Sequence, residues 1–140
     1  MTTRCLIAKR DSKGAYWAIY CHWDGYPSWT GKTLHTHYKD PQKVDALLNL
    51  GDLSSLGEEI GKKHDFNNTA KEWCTAYHRD RNNEEFNPPK RCENIEDLVL
   101  NLGQACGADY VYTFVDNKWT YYSRGNGMTE FDILTEEPIV

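Results

Sequence analysis

The chain has 140 residues, of which 39% are hydrophobic and 13% aromatic, and its formal net charge is −5. This length accommodates one domain with a single core, and the acidic balance with dispersed basic residues argues against direct binding to nucleic acid. No export signal precedes the five cysteines, there is no CxxC pair, and no apolar stretch approaches the roughly 18 residues of a membrane span, so we expect a reduced, cytoplasmic protein without a membrane segment.

The chain begins with a predicted hairpin. Residues 4–10 and 15–23 have strand composition, and the turn residues 11–14 between them end in Gly14, which tolerates a positive φ. The second strand alternates, which places Trp17, Ile19 and Cys21 on one face. The other face carries Tyr16, Ala18, Tyr20 and His22.

Two helices are predicted next. Ser28 is a candidate N-cap for a helix that runs to about Tyr38. Asp40 as N-cap and Pro41 at the first helical position predict a second helix, which ends before Gly51. The glycine-bracketed segment 51–57 is predicted to form one further helical turn.

The second half of the chain adds strands and the best helical pattern. Residues 61–71 are polar and irregular, 72–78 resemble a strand, and 79–90 a charged loop. Apolar residues follow the 3.6-residue period of a helix over 94–106, namely Ile95, Leu98, Val99, Leu102 and Cys106. Residues 110–115 and 119–123 predict a hairpin across 116–118, residues 131–134 a last strand, and 135–140 a loose tail.

This order of elements predicts an α+β fold in a single domain over residues 1–140. Hairpins dominate and no βαβ unit repeats, so the sheet should be mostly antiparallel. We expect about three helices to pack on one face of it.

The most informative stretch is the run Tyr20–Pro27, in which a predicted strand gives way to turn residues. It delivers His22, Asp24 and Tyr26 to a strand end, where sites are commonly built. A second polar cluster, Arg79, Asp80 and Arg81, follows the predicted strand 72–78. If these strands are neighbours, the six residues form one binding pocket, whose arginines suit a phosphate or nucleotide. The alternative is that Asp24 caps its own turn and Arg79 and Asp80 form structural ion pairs.

Other chemistries find little support. Cys21 and His22 are adjacent, so their side chains point to opposite faces of a strand and cannot pair. His35 with His37, and Cys74 with His78, each lack a second pair at zinc-site spacing. Phosphate-binding loops and hydrolase motifs are absent. The sequence therefore predicts no catalytic residue, no metal and no cofactor, and leaves enzymatic activity open but disfavoured.

Three blocks of the sequence also carry a family resemblance. They are Tyr20–Pro27 (YCHWDGYP), Leu50–Leu56 (LGDLSSL) and Tyr77–Arg81 (YHRDR). In order and spacing they resemble a family of small, mostly uncharacterised proteins of tailed phages and prophages, which more often have glycine at the position of His78. The likeness spans residues 3–81, with a looser match in the 110–119 hairpin.

The resemblance implies a phage accessory protein of the host cytoplasm that acts by binding. The expected task is inhibition of a host protein, such as a defence effector, in the manner of an anti-CRISPR protein. A nucleotide-binding protein or undetected hydrolase using His22, Asp24 and Arg79 is the alternative, and a virion component is a third. Homodimer formation remains open.

Overall fold

The computed structural model describes residues 3–67, 72–81 and 85–139, which form one eight-stranded sheet flanked by short helices. The strands are β1 (Cys5–Arg10), β2 (Tyr16–Cys21), β3 (Leu53–Ser55), β4 (Thr75–Ala76), β5 (Lys90–Cys92), β6 (Tyr110–Val115), β7 (Lys118–Ser123) and β8 (Glu130–Asp132). The α-helices are α1 (Lys32–His37), α2 (Pro41–Leu48), α3 (Tyr77–Asp80) and α4 (Gly103–Cys106), and π-helical segments cover Pro27–Gly31 and Asp97–Leu102.

The strands lie in the order β4-β3-β2-β1-β6-β7-β8, with β5 beside the first half of β2. Two pairings are parallel, β1 with β6 and β2 with β3, and the other pairings are antiparallel. The predicted α+β class with a mostly antiparallel sheet is therefore confirmed.

Helices cover both faces of the sheet, which corrects the expectation that they pack on one face. On β1, Cys5 and Ile7 belong to a core cluster that includes residues of α1 and α2. Leu6 and Ala8 belong to a second cluster, packed against residues of the 97–106 helical region. The physical reason lies in the central strand β1, whose first four residues are apolar and buried in succession, so that both of its faces must be covered.

Both predicted hairpins are present. Gly14 adopts φ 87° in the β1–β2 turn, as its position required. Asp116 and Asn117 both have positive φ, 52° and 63°, and form a two-residue turn whose twist matches that of the flanking strands. Lys118, predicted as a turn residue, is the first residue of β7.

The first helical region begins two residues earlier than predicted. Tyr26, not Ser28, is the N-cap residue, and the first turn is of the π type. Gly31 marks the junction with α1. A side chain there would stand 3.2 Å from Tyr112 Cε1, so glycine allows the helix to lie close to the sheet. The second helix begins as predicted, with the Asp40 Oδ1 atom accepting a hydrogen bond from the Gln42 N–H at 3.0 Å.

Segments that depend on distant partners differ from prediction. Residues 53–55 form β3 rather than a helical turn, because they pair with both β2 and β4. Residues 72–78 contain only the two-residue β4, after which α3 begins, and β5 arises within and beyond the predicted 79–90 loop. Parts of the predicted segments, residues 68–71 and 82–84, lie outside the described residues.

The predicted helix at 94–106 and the chain end complete the fold. The helix is present, with its Asp97–Leu102 part of the π type, and ends at Gly107 in the left-handed conformation with φ 67°. Residues expected as a loose tail return along β8, where the Asp132 N–H donates to Glu137 O at 2.9 Å and the Ile139 N–H to Glu130 O at 2.8 Å.

Candidate ligand-binding site

A cavity of about 770 Å³ opens where β2 ends beside β3 and α3. We call it the β2-end cavity. It is lined by residues from four segments: His22, Trp23, Ser54, Lys63, His64, Asp65, Phe66, Asn67, Tyr77, Asp80 and Arg81.

Backbone pairing fixes the position of the first wall. The His22 N–H donates to Leu53 O at 3.1 Å, and the Trp23 N–H donates to Ser54 O at 2.9 Å. The Tyr20 hydroxyl lies 2.7 Å from His22 Nδ1. The His22 and Trp23 rings pack edge to face with centroids 4.8 Å apart. The Tyr20 hydroxyl and the Trp23 ring therefore fix the position of the imidazole.

The electrostatic surroundings of His22 disfavour its charged form. Burial, assisted by the positive charge of Arg4, lowers the pKa of His22 below 6.5. Burial raises the pKa of Tyr20 above 10. At neutral pH the cavity therefore presents a neutral imidazole, hydrogen-bonded to a protonated phenol.

The opposite wall combines aromatic rings with a cation. The Phe66 and Tyr77 rings lie 5.6 Å apart at an interplanar angle of 32°. The guanidinium of Arg81 lies 5.3 Å from the Phe66 ring centroid and 6.0 Å from that of Tyr77. The Tyr77 hydroxyl is also hydrogen-bonded to the Ser54 side chain. Lys63, which is exposed, adds a second positive charge at this cavity.

Asp80 and His64 hold the cavity floor together. The Asp80 carboxylate accepts hydrogen bonds from the Ala76 N–H at 2.8 Å and from the His64 N–H at 3.1 Å. Burial works to raise the pKa of Asp80, but the Arg79 guanidinium and these backbone donors outweigh it, and the pKa falls below 3.8. Both ring nitrogens of His64 are engaged, Nδ1 with Lys62 O at 2.9 Å and Nε2 with Thr75 Oγ1 at 3.2 Å.

Arg79, one of the predicted site residues, does not line the cavity. Its guanidinium donates to Ile60 O at 2.8 Å and Cys74 O at 2.7 Å, and to both oxygens of Asp80. This network binds the 60–64 segment to β4 and α3. Arg79 and Asp80 therefore form an ion pair that supports the fold, which is the alternative stated for them in the sequence analysis.

Asp24 and Tyr26 also lie outside the cavity lining. After β2 the chain turns at Asp24, which has φ 57°, and Gly25 packs against β1, where its N–H donates to Thr3 O at 2.9 Å. A Cβ at Gly25 would lie 2.9 Å from Cys5 Cβ, so only glycine permits this approach. The turn therefore carries residues 24–26 toward the start of β1. Of the six predicted site residues, the cavity brings together His22, Asp80 and Arg81.

Sequence reasoning missed the contribution of the segment 61–67. It was predicted only as irregular, yet Lys63, Phe66 and Asn67 line the cavity. Phe66 was the available signal, because it is an isolated aromatic residue in an otherwise polar loop. Ser54 and Tyr77 were also missed as site residues, since their place depends on the pairing of β3 with β4.

The cavity offers hydrogen-bond donors and aromatic faces in place of metal ligands. Within residues 3–67, 72–81 and 85–139, no group of three His, Cys, Asp or Glu side chains is arranged to hold a metal ion. In the same ranges, no helix is long and apolar enough to cross a bilayer.

The chain matches no protein-family model, and no curated protein or solved structure is significantly similar to it.

Proposed function

We propose that the protein acts by binding, and that its ligand is a nucleotide held in the β2-end cavity. The observation that carries this proposal is the Arg81 guanidinium packed on the Phe66 and Tyr77 rings, in a cavity that also contains Lys63 and His22. Positive side chains and neutral donors pair with phosphate oxygens, and aromatic faces stack on bases.

The size of the cavity and the state of its carboxylates support this ligand class. A volume of about 770 Å³ falls within the range of small-molecule sites. Asp80, one of two carboxylates in the lining, is occupied by four hydrogen bonds from the protein. The other, Asp65, accepts from the Asn67 N–H at 3.0 Å. Both carboxylates of the lining thus accept hydrogen bonds from the protein, and the side chains of Lys63 and Arg81 add positive charge beside them.

Binding is favoured over catalysis because no cysteine is among the described residues that line the cavity, and its Asp80–His64 pair is engaged elsewhere. The thiols of Cys21 and Cys74 are buried in the core and do not line the cavity. Asp80 and His64 are engaged in structural hydrogen bonds. The protein would thus capture a nucleotide without changing it, as a sequestering protein does.

A thermal-shift screen tests the proposal. The panel comprises AMP, ATP, GTP, cyclic di-AMP and cyclic di-GMP, with adenosine and inorganic phosphate as the two partial ligands. A bound nucleotide at a hundredfold excess over its dissociation constant stabilises the fold by about 2.7 kcal/mol and raises the melting temperature by several degrees. Adenosine and phosphate should each give a smaller shift. An unchanged melting temperature across the panel would contradict the proposal.

Charge variants locate the binding. Lys63→Met should weaken nucleotide binding because Lys63 lines the cavity, whereas Lys62→Met is a matched control one residue away and outside the lining. Equal loss in both variants would indicate nonspecific charge attraction.

A second candidate follows from the phage resemblance, namely inhibition of a host protein by a phage or prophage protein. Two exposed aromatic residues after β2 favour it: Trp23, in the cavity lining, is 46% exposed, and Tyr26, outside the lining, is 37% exposed. Exposed aromatic side chains of this kind are typical of binding surfaces. Capture from lysates of several hosts should recover one and the same protein with the native chain and not with a Trp23→Ala, Tyr26→Ala variant. Recovery of only nonspecific proteins, or detection of the chain in purified phage particles, would count against this candidate.

A further inference from the structure

We propose that Tyr20 fixes His22 as a neutral hydrogen-bond donor, and that the Nε2–H of His22 binds a phosphate oxygen of the ligand rather than acting as a base. The inference rests on the proposed function, since it assigns a role within the β2-end cavity. Tyr20 acts through His22 and is therefore a positioning residue.

The contact between the two side chains determines the tautomer. Tyr20 and His22 are two residues apart at the end of β2, so both side chains extend from the same face. The Tyr20 hydroxyl and His22 Nδ1 are 2.7 Å apart. Among the described residues the hydroxyl has no other hydrogen-bond partner. If Nδ1 carried the proton, the hydroxyl hydrogen would have no protein acceptor. Donation from the Tyr20 hydroxyl to Nδ1 gives the donor and the acceptor a partner each. It leaves the imidazole proton on Nε2.

The surroundings keep both groups in these protonation states. Burial and the nearby Arg4 lower the pKa of His22, which keeps the imidazole neutral at pH 7. Burial raises the pKa of Tyr20, so the phenol retains the proton that it donates. The Asp52 carboxylate, which lies near this pair, accepts a hydrogen bond from the Tyr20 backbone N–H at 3.0 Å.

The consequence concerns both the ligand and the reaction. Nε2 has no protein partner among the described residues, and His22 lines the cavity beside Lys63 and Arg81. A ligand that presents a phosphate oxygen gains a hydrogen bond there, and one that presents only a donor is disfavoured. Because Nε2 already carries a proton, it cannot remove one from an attacking water molecule. The bound nucleotide should therefore remain intact.

Nitrogen-15 NMR of the ligand-free protein tests the tautomer directly. We expect the His22 proton on Nε2 in the native chain, and a mixture of tautomers in Tyr20→Phe. The matched control is Tyr16→Phe, which removes a hydroxyl from the same face of β2 without touching His22. A native His22 with its proton on Nδ1 overturns the inference, as does a Tyr20→Phe variant in which the tautomer is unchanged.

Calorimetry with ATP and cyclic di-AMP tests the role in binding. In His22→Gln the side-chain amide nitrogen can replace Nε2, whereas in His22→Asn it replaces Nδ1. Loss of a hydrogen bond to a charged group lowers affinity about tenfold to a hundredfold. We expect that loss in His22→Asn and His22→Ala, with most of the affinity retained in His22→Gln. Equal losses in all three variants, or release of phosphate from either probe by the native protein, overturn the inference.

The two proposals fail in different ways. If the native protein binds neither probe while NMR shows the proton on Nε2, nucleotide binding is wrong and the ligand-binding role of His22 falls with it. If a probe binds tightly while the proton is on Nδ1, nucleotide binding stands and the donor role of His22 alone is wrong.

Discussion

Asp80 is a charged residue whose side chain is fully shielded from solvent. Its stability depends on four hydrogen bonds, two from backbone N–H groups and two from Arg79. Removing one member of a buried ion pair leaves the other uncompensated and typically costs about 3–5 kcal/mol. We expect Asp80→Asn to lower the free energy of unfolding by this order, as measured by urea denaturation at pH 7. The exposed Asp45, which contacts Lys9 at 2.7 Å, is the control, and Asp45→Asn should cost about 0–1 kcal/mol.

The same carboxylate predicts a pH dependence. The folded pKa of Asp80 lies below the ordinary value of 3.8, so the native state binds fewer protons than the unfolded state between those two values. The stabilisation is therefore complete above pH 3.8 and is lost as the pH falls through the folded pKa. Urea denaturation from pH 7 to pH 3 should show a stability difference between the native protein and Asp80→Asn that is constant at first and narrows as the pH falls below 3.8. A constant difference between them would contradict the ionised pair.

Only those parts of the candidate site that depend on local sequence could be predicted. His22 follows β2 as predicted, whereas Arg81 follows the short helix α3, which begins directly after β4. Asp24 and Tyr26 were expected beside them, but the positive φ of Asp24 and the close packing of Gly25 redirect the chain. No alternation of apolar residues and no capping pattern in the sequence predicts such a turn. Phe66 enters through a loop whose path is fixed by distant contacts, which a single sequence does not contain.

At the level of secondary structure, the helical region after Asn94 provides the clearest test of the core. Leu98 is fully buried in the second core cluster, whereas Leu100, two residues away, is 40% exposed. Deletion of a buried leucine side chain costs about 2–5 kcal/mol, through lost burial and the cavity left behind. Leu98→Ala should lose that much stability in urea denaturation. Leu100→Ala should lose well under about 1 kcal/mol, and equal losses would mean that the helix packs through another face.

The two long hairpins were predictable because their information is local. Each has alternating apolar residues on both sides of a short turn, and the turn residues accept positive φ. The short strands β3, β4 and β5 were not, since two or three residues carry no period. β3 and β5 form strands because β2 offers unpaired backbone groups along one edge, and β4 pairs in turn with β3. Tertiary pairing therefore overrides the weak helical signal of residues 51–57.

Across the whole molecule, the two core clusters share the same central strands, β1 and β2. One cluster cannot be exposed without breaking the sheet that supports the other. We therefore expect the described fold to unfold as one cooperative unit. The cavity at the β2 end belongs to this unit through Cys21, which pairs with Leu53, so nucleotide binding should stabilise the whole chain rather than one loop.

The cysteines report on that cooperativity. Cys5, Cys21 and Cys74 are fully buried in one core cluster, whereas Cys106 at the end of α4 is only partly buried. Burial raises the pKa of Cys5, Cys74 and Cys106 alike, so the exposure of each thiol rather than its thiolate fraction decides the order of labelling. A thiol reagent should label Cys106 first.

Cys5, Cys21 and Cys74 should then react together and more than ~1,000-fold more slowly than in urea, because each becomes accessible only when the sheet opens. Mass spectrometry of the labelled protein over time measures the order. The control is Cys106→Ser, which removes the early event and lies outside the cluster that contains Cys5, Cys21 and Cys74. Labelling of Cys74 well before Cys5 and Cys21 would instead show that the β3–β4 edge, which contributes Ser54 to the cavity lining, opens separately from the central strands.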